Sequence, residues 1–372
     1  MWRRKAFFVF GFLVGILGCD RRSPAPPSPA SEPQRVTLAA VGDLLLHQDV
    51  QRAAEHAGSY RALWAPVAER LASADLTLGN LETPIAPTSG VPGRPFVFNA
   101  PAHLAQDLKT SGFQVVVTAN NHACDQGAAG VLETLHHLSR AGLLALGSGS
   151  TREQAEGPLI LERRGVRWAL FARTERLNLG GFGAKSRAHV ALLDLDRTRR
   201  AIAAVRPHVD VVVVSLHWGD EYATVPAKRQ IAMAEALVAA GADLILGHHP
   251  HVLQPLRWVS AGGRTGAVAF SLGNFISNQD RTYRPNRDDP ALGDNRDGAL
   301  VWATFRKDPD ARVRLERVEL VPLWTINQRL DRGPGQPPVP FIRVTFLEHE
   351  GDVRAIRRQR LATILEGRWC LD

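Results

Sequence analysis

Short apolar runs that end in polar, ligand-type side chains recur along this chain. Residues 36–41 run into Gly42 and Asp43, 75–78 into Gly79, Asn80, Leu81 and Glu82, and 115–118 into Asn120, Asn121 and His122. Residues 211–216, almost entirely β-branched, lead to His217, Trp218 and Gly219, and 244–246 to Gly247, His248, His249, Pro250 and His251. Runs this short, bounded by glycine, proline or asparagine, predict strands. Between them, 60–73, 102–111, 127–141, 195–205 and 226–240 carry apolar residues three and four apart, as at Ile231, Ala234, Leu237 and Val238, and predict amphipathic helices. Strands alternating with helices of this length imply an α/β domain with a partly parallel sheet, whose functional residues gather at the carboxyl ends of the strands. On this reading the five polar clusters share one rim. Further on, 167–172, 266–272, 298–305 and 313–321 read as strands joined by loops, a second sheet packed on the first, and 350–366 as a closing helix.

The segment 243–254 packs three histidines, His248, His249 and His251, into four positions behind a strand. Gly247 lets the chain turn, and Pro250 is expected to hold His249 and His251 on a stiff, extended His-x-His unit, converging on one ion or on two neighbouring ones. Two divalent ions about 3.5–4 Å apart need a bridging carboxylate, imidazole or carboxylate ligands at either end, and an open edge for water and substrate. Asp43, Glu82, Asn121, His217, His249 and His251 are the candidates. Nitrogen and oxygen donors without thiolate suit Mn, Fe or Zn better than Ca. Two carboxylates against two dications leave such a site net positive, able to draw a phosphoryl group or a polymer carboxylate. His47, His248, Glu221, Tyr222 and Asn274 are placed around this set, as substrate contacts or as support for the ligands; His248 is expected outside the ligand set, facing either the ligands or solvent. Glu221 and Tyr222 have an equally simple reading as structural hydrogen-bonding groups, and Asn274 as a turn residue. His136 and His137 fall on a helix surface, Trp218 packs under or beside the site, and Cys124 reads as core.

At 372 residues the chain has room for one large domain or two ordinary ones, and its formal charge of +8 includes Arg3, Arg4 and Lys5 of a leader-like segment. Without those three the balance is about +5. No basic stripe is interleaved with aromatics, which argues against nucleic acid as a partner and leaves anionic substrates. The apolar run 6–18 is too short to span a membrane and fits a signal peptide. Its end, Ile16, Leu17, Gly18 and Cys19, resembles the lipobox of bacterial lipoproteins, which implies cleavage before Cys19 and acylation of its thiol. The expectation is a protein of the cell envelope, extracytoplasmic and lipid-anchored to a membrane: leader 1–18, Pro/Ser-rich tether 19–34, domain 35–332 and a C-terminal extension 333–372 packing on it. Cys124 and Cys370 then remain, either disulfide-bonded or with Cys124 a buried thiol.

Six motifs in order, GDLLLH (42–47), GNLETPI (79–85), ANNHACDQG (119–127), HWGDEY (217–222), GHHPHVLQP (247–255) and SLGNFI (271–276), resemble the CapA family of poly-γ-glutamate capsule synthesis proteins, over roughly residues 36–277. That family is in turn similar to the calcineurin-like metallophosphatases. The resemblance implies a four-layer α/β/β/α sandwich with two mixed sheets. It also implies a ligand set: Asp43 and His251 on one metal, Glu82 as the bridge, and Asn121, His217 and His249 on the second. By the same resemblance His122, oriented by Asp125, is a general acid, and the nucleophile is a metal-bound hydroxide. Two departures from the phosphatase pattern stand out. Asp43 is followed by Leu44 and Leu45, with His47 the nearest histidine, where a phosphatase has Asp-x-His; and the bridge is Glu82, where a phosphatase has Asp. The function implied is synthesis, export or trimming of an anionic capsular polymer. Two other readings of the same residues are a phosphoesterase acting on envelope or periplasmic phosphates and a non-catalytic accessory subunit of a polymer synthase.

Overall fold

Alternate residues of the strand Gln34–Leu44 enter different cores. Val36, Leu38 and Ala40 join one buried cluster, and Ala39, Val41 and Leu44 another. A strand covered on both faces must read as an unbroken apolar run, as this one does. The strand Val211–His217 divides in the same way, Val211 and Val213 on one side and Val212 and Val214 on the other. In the computed structural model of the chain, residues 32–180, 186–310 and 312–371 are described. The leader, Cys19 and most of the tether lie outside them.

Two mixed sheets follow from these strands. The nine-stranded sheet runs Val339–Phe346, Val313–Leu330, Asp297–Lys307, Gln34–Leu44, Leu76–Leu81, Val115–Val117, Leu144–Leu146, with Asn274–Ile276 and Cys370–Leu371 paired off this path. The six-stranded sheet runs Leu253–Ala261, Arg264–Leu272, Leu244–His248, Val211–His217, Val166–Thr174, Leu159–Arg163. The sheets bury one face against each other, with Leu38, Leu78 and Val117 meeting Trp168, Leu170, Val213 and Leu246. Each fully buried Val, Leu or Ile contributes roughly 1.5–3 kcal/mol relative to exposure, so this inner layer is a principal stabiliser. On the outer face of the larger sheet lie the helices Gln48–Ala57, Ala65–Ala72 and His103–Thr110, through Val50, Val67, Leu71, Leu104 and Leu108. The helices Leu195–Val205 and Lys228–Ala240 cover the smaller sheet through Ile202, Ala234, Leu237 and Val238. The architecture is the four-layer α/β/β/α sandwich implied by the resemblance.

The sheet assignment read from the alternating pattern is corrected. The five strands with polar ends do not form one sheet: three lie in the larger sheet and two, Val211–His217 and Leu244–His248, in the smaller. The strand expected at 167–172 joins the smaller sheet in parallel with Val211–His217, while 298–305 and 313–321 extend the larger one. Within each sheet the strands that carry the polar ends run parallel. Both therefore deliver their carboxyl ends to one seam, and the expected single rim is a junction of two. The helix expected at 60–73 breaks at Trp64 into Tyr60–Leu63 and Ala65–Ala72, because Pro66 fits only the first turn of a helix. The closing helix is Gly351–Ile364, and the extension supplies the edge strand Val339–Phe346. Cys124 is buried and is not disulfide-bonded to Cys370.

Candidate metal centre

Register brings the first residues together. In the parallel pair of the larger sheet Asp43 stands opposite Asn80, and in the smaller sheet His217 stands opposite His248. Glu82 follows directly, its backbone N–H donating to Leu44 O at 3.1 Å. Within the smaller sheet the strand Leu244–His248 packs tightly on its neighbour Arg264–Leu272 at Gly247, where an added Cβ would lie 1.8 Å from Phe270 O, so only glycine lets the two strands approach there.

Asp43, Glu82, His217, His248, His249 and His251 are all buried. One donor atom each from Glu82, His249 and His251 lies within 4.8 Å of the others, and the same holds for Asp43, Glu82 and His217. Glu82 belongs to both groups. The two carboxylates are placed very differently. Asp43 accepts from Asn80 Nδ2 at 2.7 Å, from the His249 backbone N–H at 3.3 Å and from His251 Nδ1 at 3.1 Å, with His248 Nδ1 3.3 Å away. Both oxygens of Glu82 are buried without a hydrogen-bond partner, although His217 Nε2 lies at 3.4 Å and His251 Nε2 at 3.8 Å. An unpartnered buried carboxylate is costly in a protein interior, and a cation among nitrogen donors removes that cost.

The electrostatics follow the same division. Burial, then the charges of Asp43, Glu221 and Asp125, push Glu82 well above the ordinary carboxylate range. Burial also works to raise Asp43, but the contacts of His248 and His251 outweigh it and hold Asp43 well below that range. Burial and the neighbouring His249 lower His217, and burial with His251 and Arg176 lowers His249 to about 3. Neutral imidazoles are the form that binds metal. The donor set thus fits a divalent cation: deprotonated imidazoles and an unpartnered carboxylate shared between two groups, with no thiolate, as Mn, Fe or Zn prefer.

The His-x-His unit is not extended. His249 has φ +95° and His251 φ +60°, left-handed values that cost a non-glycine residue on the order of 1–3 kcal/mol. Backbone bonds secure them: Trp218 N–H donates to His248 O at 3.1 Å and Tyr222 N–H to Pro250 O at 2.8 Å. The turn leaves His249 Nδ1 buried and unpartnered, and the ring centres of His249 and His251 6.0 Å apart. His248 is buried behind Asp43, away from solvent.

The other candidates take distinct places. Asn121 Oδ1 lies 2.8 Å from His217 Nε2. His122 Nδ1 lies 2.8 Å from Asp125 Oδ2, which also accepts from the Phe98 N–H at 2.6 Å, and His122 Nε2 points to Asn178 Nδ2 at 3.3 Å. Asn274 is fully buried, its Oδ1 3.1 Å from His251 Nδ1, so it is tied to the cluster and does not act as a plain turn residue. Tyr222 is exposed, its ring 6.3 Å from that of His251, and Glu221 beside it is exposed too. His47 is not brought to Asp43: it accepts from the Asn278 N–H at 3.2 Å and sits edge-on to Phe98 in a neighbouring cleft. Trp218 packs beneath the site on Phe270. His136 and His137 lie on the helix Gly127–Arg140, His136 exposed and His137 half-buried.

Sequence reasoning missed Asn80, Asn120 and Arg176. Asn120 Nδ2 donates to Asn80 Oδ1 at 3.2 Å and to Leu81 O at 2.8 Å, bracing the residue that braces Asp43. Both asparagines stood inside strand-end motifs, and that position was the available signal. Arg176 Nη2 reaches His249 Nε2 at 2.9 Å and Gly219 O at 3.0 Å, bringing a guanidinium to the centre from a loop with no motif of its own.

Residues 37–279 match the family model described as bacterial capsule synthesis protein PGA_cap. The capsule biosynthesis protein CapA of Bacillus anthracis is 29% identical over 275 residues, covering 72% of this chain and 66% of that protein. The PGA biosynthesis protein CapA of Bacillus subtilis (strain 168) is 30% identical over 284 residues, covering 75% of this chain and 70% of that one. The chain therefore spans about two thirds of the length of these relatives. Among solved structures, a 5'-nucleotidase precursor from Thermus thermophilus aligns with TM-score 0.46 at 13% identity, over 88% of this chain and 58% of that one. A purple acid phosphatase from yellow lupin seeds aligns with TM-score 0.38 at 9% identity, over 85% and 55%.

Proposed function

The chain belongs to the bacterial capsule synthesis family PGA_cap, and on that premise we propose that it acts in the synthesis, export or trimming of an anionic capsular polymer of the poly-γ-glutamate type, as a divalent-metal hydrolase. The observation that carries the hydrolase reading is Glu82: a buried carboxylate with neither oxygen hydrogen-bonded, shared by two groups of nitrogen and oxygen donors. Glu82, His217, His249 and His251 would hold the metal, with Asn121 and Asp43 beside them. A cation bound there supplies Lewis acidity toward a substrate oxygen and toward water.

The remaining steps belong to side chains of this protein. His122, its Nδ1 fixed by Asp125, presents Nε2 as a proton donor to a leaving nitrogen or oxygen. Arg176 offers N–H donors to a substrate oxyanion within reach of His249. The seam is walled by buried strand ends and rimmed by the exposed Tyr222, so substrate enters from that side. For hydrolysis of a γ-glutamyl amide, water adds across the C–N bond, leaving a carboxylate and an amine; for a phosphoester the leaving group is an alcohol. Attachment through Cys19 to the outer side of a membrane completes the proposal and rests on the lipobox resemblance alone.

The test is elemental analysis of the purified protein together with hydrolysis assays on γ-glutamyl oligomers and on aryl phosphates. Metal-dependent cleavage of the oligomers is the expected result. Turnover of phosphoesters alone would move the assignment to a phosphoesterase. Stoichiometric metal with turnover of neither substrate would leave the accessory role in polymer synthesis.

A further inference from the structure

A cavity of about 570 Å³ opens beside the metal centre, within the size range of ligand sites. Phe98 is the wall they share: its ring lies 4.5 Å from that of His122 and 5.2 Å from that of His47, which lines the cavity. Four arginines line it, and they come from four separate segments: Arg52 from the helix Gln48–Ala57, Arg94 from the loop before Phe98, Arg281 from the loop after Asn274–Ile276, and Arg329 from the end of the strand Val313–Leu330. Such convergence is not the by-product of one solvated helix face.

Among the described residues, the only carboxylate that lines the cavity with them is Asp49. Arg329 lies 2.5 Å from it, Arg52 3.3 Å and Arg281 4.0 Å, while Asn278 Nδ2 donates to it at 3.0 Å. Asp49 is buried, whereas the Arg52, Arg281 and Arg329 side chains are 62%, 61% and 42% exposed. Asp49 therefore gathers the guanidiniums at the floor and leaves N–H groups facing the cavity. Arg94 is exposed and pairs with no acidic side chain among the described residues. Four cationic groups against one anionic group leave the cleft at +3. Burial lowers His47 to about 4, so it adds no charge at neutral pH and offers an apolar edge.

We propose that this cleft is a carboxylate-binding subsite that grips an anionic polymer at positions away from the bond addressed by the metal centre. The inference rests on the capsular-polymer reading above for its ligand, and on the geometry of the cleft for its location. Guanidinium forks at several points suit a chain that presents carboxylates at regular intervals, since each carboxylate takes two parallel N–H donors. Affinity should then rise with oligomer length and fall with added salt.

The test measures binding of γ-glutamyl oligomers to the full chain under chelation, where hydrolysis does not contribute. The wild-type protein is expected to bind long oligomers more tightly than short ones, and to lose binding when the free α-carboxylates of the oligomer are amidated. The double variant Arg94→Ala/Arg281→Ala is expected to weaken binding at least ~10-fold with unchanged metal content and thermal midpoint, and Arg94→Glu/Arg281→Glu to weaken it further. A control pair on the helix Leu195–Val205, which covers the smaller sheet, Arg199→Ala/Arg200→Ala, should bind like the wild type. Undiminished binding in the cleft variants, or no oligomer binding by the wild type, overturns the proposal. Tighter, equally variant-sensitive binding of polyphosphate overturns the carboxylate assignment. Arginine-dependent oligomer binding under chelation, together with no oligomer cleavage by the metal-loaded protein, sustains the subsite and removes the hydrolase reading instead.

Discussion

His251 Nδ1 lies 3.1 Å from Asp43 Oδ2, and this contact turns the other ring nitrogen, Nε2, toward Glu82 at 3.8 Å. Asp43 also accepts from Asn80 and from the His249 N–H, so its oxygens are engaged by protein donors while those of Glu82 are not. In this arrangement Asp43 orients imidazoles, and Glu82 is the carboxylate that would meet a cation. An orienting carboxylate is worth about 10–100-fold in metal affinity. Asp43→Asn should therefore weaken metal binding within that range, as read by calorimetric titration. A loss as large as that of Glu82→Gln would instead make Asp43 a ligand equal to Glu82.

Glu82 gives a second expectation through stability. Its carboxylate is buried without a partner and held far above its usual range, so ionised Glu82 destabilises the metal-free protein. In Glu82→Gln that ionisation is gone. The metal-free variant should unfold at or above the wild-type temperature at pH 8, and added Mn or Zn, which should raise the wild-type midpoint by linkage, should leave that of the variant unmoved. Differential scanning calorimetry with and without metal reads both effects. An unchanged metal-induced shift in the variant would remove Glu82 from the ligand set.

Strand ends were the legible part of this molecule. Asp43, Glu82, Asn121, His217, His249 and His251 were singled out because each follows an apolar run, and the structure brings all six to one seam. Which sheet a strand joins was not legible, since pairing such as Ala40 with Val301 spans the chain and leaves no local periodicity. The backbone of His249 and His251 was misread as extended because Pro250 restrains its own φ and biases its predecessor, while bonds from Trp218 and Tyr222 impose the turn. Arg176 and the four arginines of the cleft carry no spacing signal at all. They converge only after folding, from segments far apart in sequence.

The buried histidines predict how the metal-free protein responds to acid. His47 and His249 have folded-state values near 4 and 3, and His217 is lowered too, against about 6.5 in an unfolded chain. Between those values the unfolded chain binds more protons, so their contribution is complete above about pH 6.5 and is lost as pH falls toward 4 and 3, by at most about 3 kcal/mol for His47 and about 5 kcal/mol for His249. Glu82 has the opposite sign. Its raised value means the folded state keeps the extra proton, so stability falls as pH rises above about 4.3. On the acid side the three histidines oppose Glu82 together with Asp297, raised by burial to about 6, and Asp280. Above about pH 6.5 the histidine contribution is complete and Glu82 goes on lowering stability, which puts the maximum of the metal-free protein near pH ~6.5. Thermal scans under chelation from acid to alkaline pH should show that maximum, and Glu82→Gln should flatten its alkaline limb. A wild-type midpoint that climbs steadily to high pH would contradict the assignment of Glu82.

His122 and Asp125 separate proton transfer from metal binding. His122 makes its hydrogen bonds to Asp125, whose Oδ2 lies 2.8 Å from Nδ1, and to Asn178, and not to Glu82 or His217. His122→Ala should thus lower kcat by about 10²–10⁴-fold with metal content unchanged. Asp125→Asn keeps a hydrogen-bonding group beside Nδ1, so a smaller loss and a shifted acid limb of the pH–rate profile are expected. Equal loss of metal and of turnover in His122→Ala would make this histidine part of the metal centre.

Gly247 tests whether strand packing within the smaller sheet sets the geometry of the cluster. It lies in the strand Leu244–His248, opposite Leu216 and one residue before His248, and an added Cβ would meet Phe270 O at 1.8 Å and Trp218 Nε1 at 2.7 Å. The first neighbour is backbone of the adjacent strand and cannot step aside as a side-chain tip can. Trp218 Nε1 also donates to that same Phe270 O at 3.0 Å, so the intruding methyl group breaks a buried bond as well as forcing the strands apart. Gly247→Ala should cost about 3 kcal/mol or more, from overpacking and the lost bond together. The displacement is passed to His248, the next residue of the strand and the one opposite His217, so metal affinity should drop with stability. Gly263→Ala, at a turn with no atom within 4 Å of the added Cβ, is the control: its φ of +74° brings strain but no clash, so it should lose stability and keep full metal affinity. If Gly247→Ala unfolded at a lower temperature yet bound metal as tightly as the wild type, the cluster would be held by the histidine loop alone and not by the packing of the strand Leu244–His248 on its neighbour Arg264–Leu272.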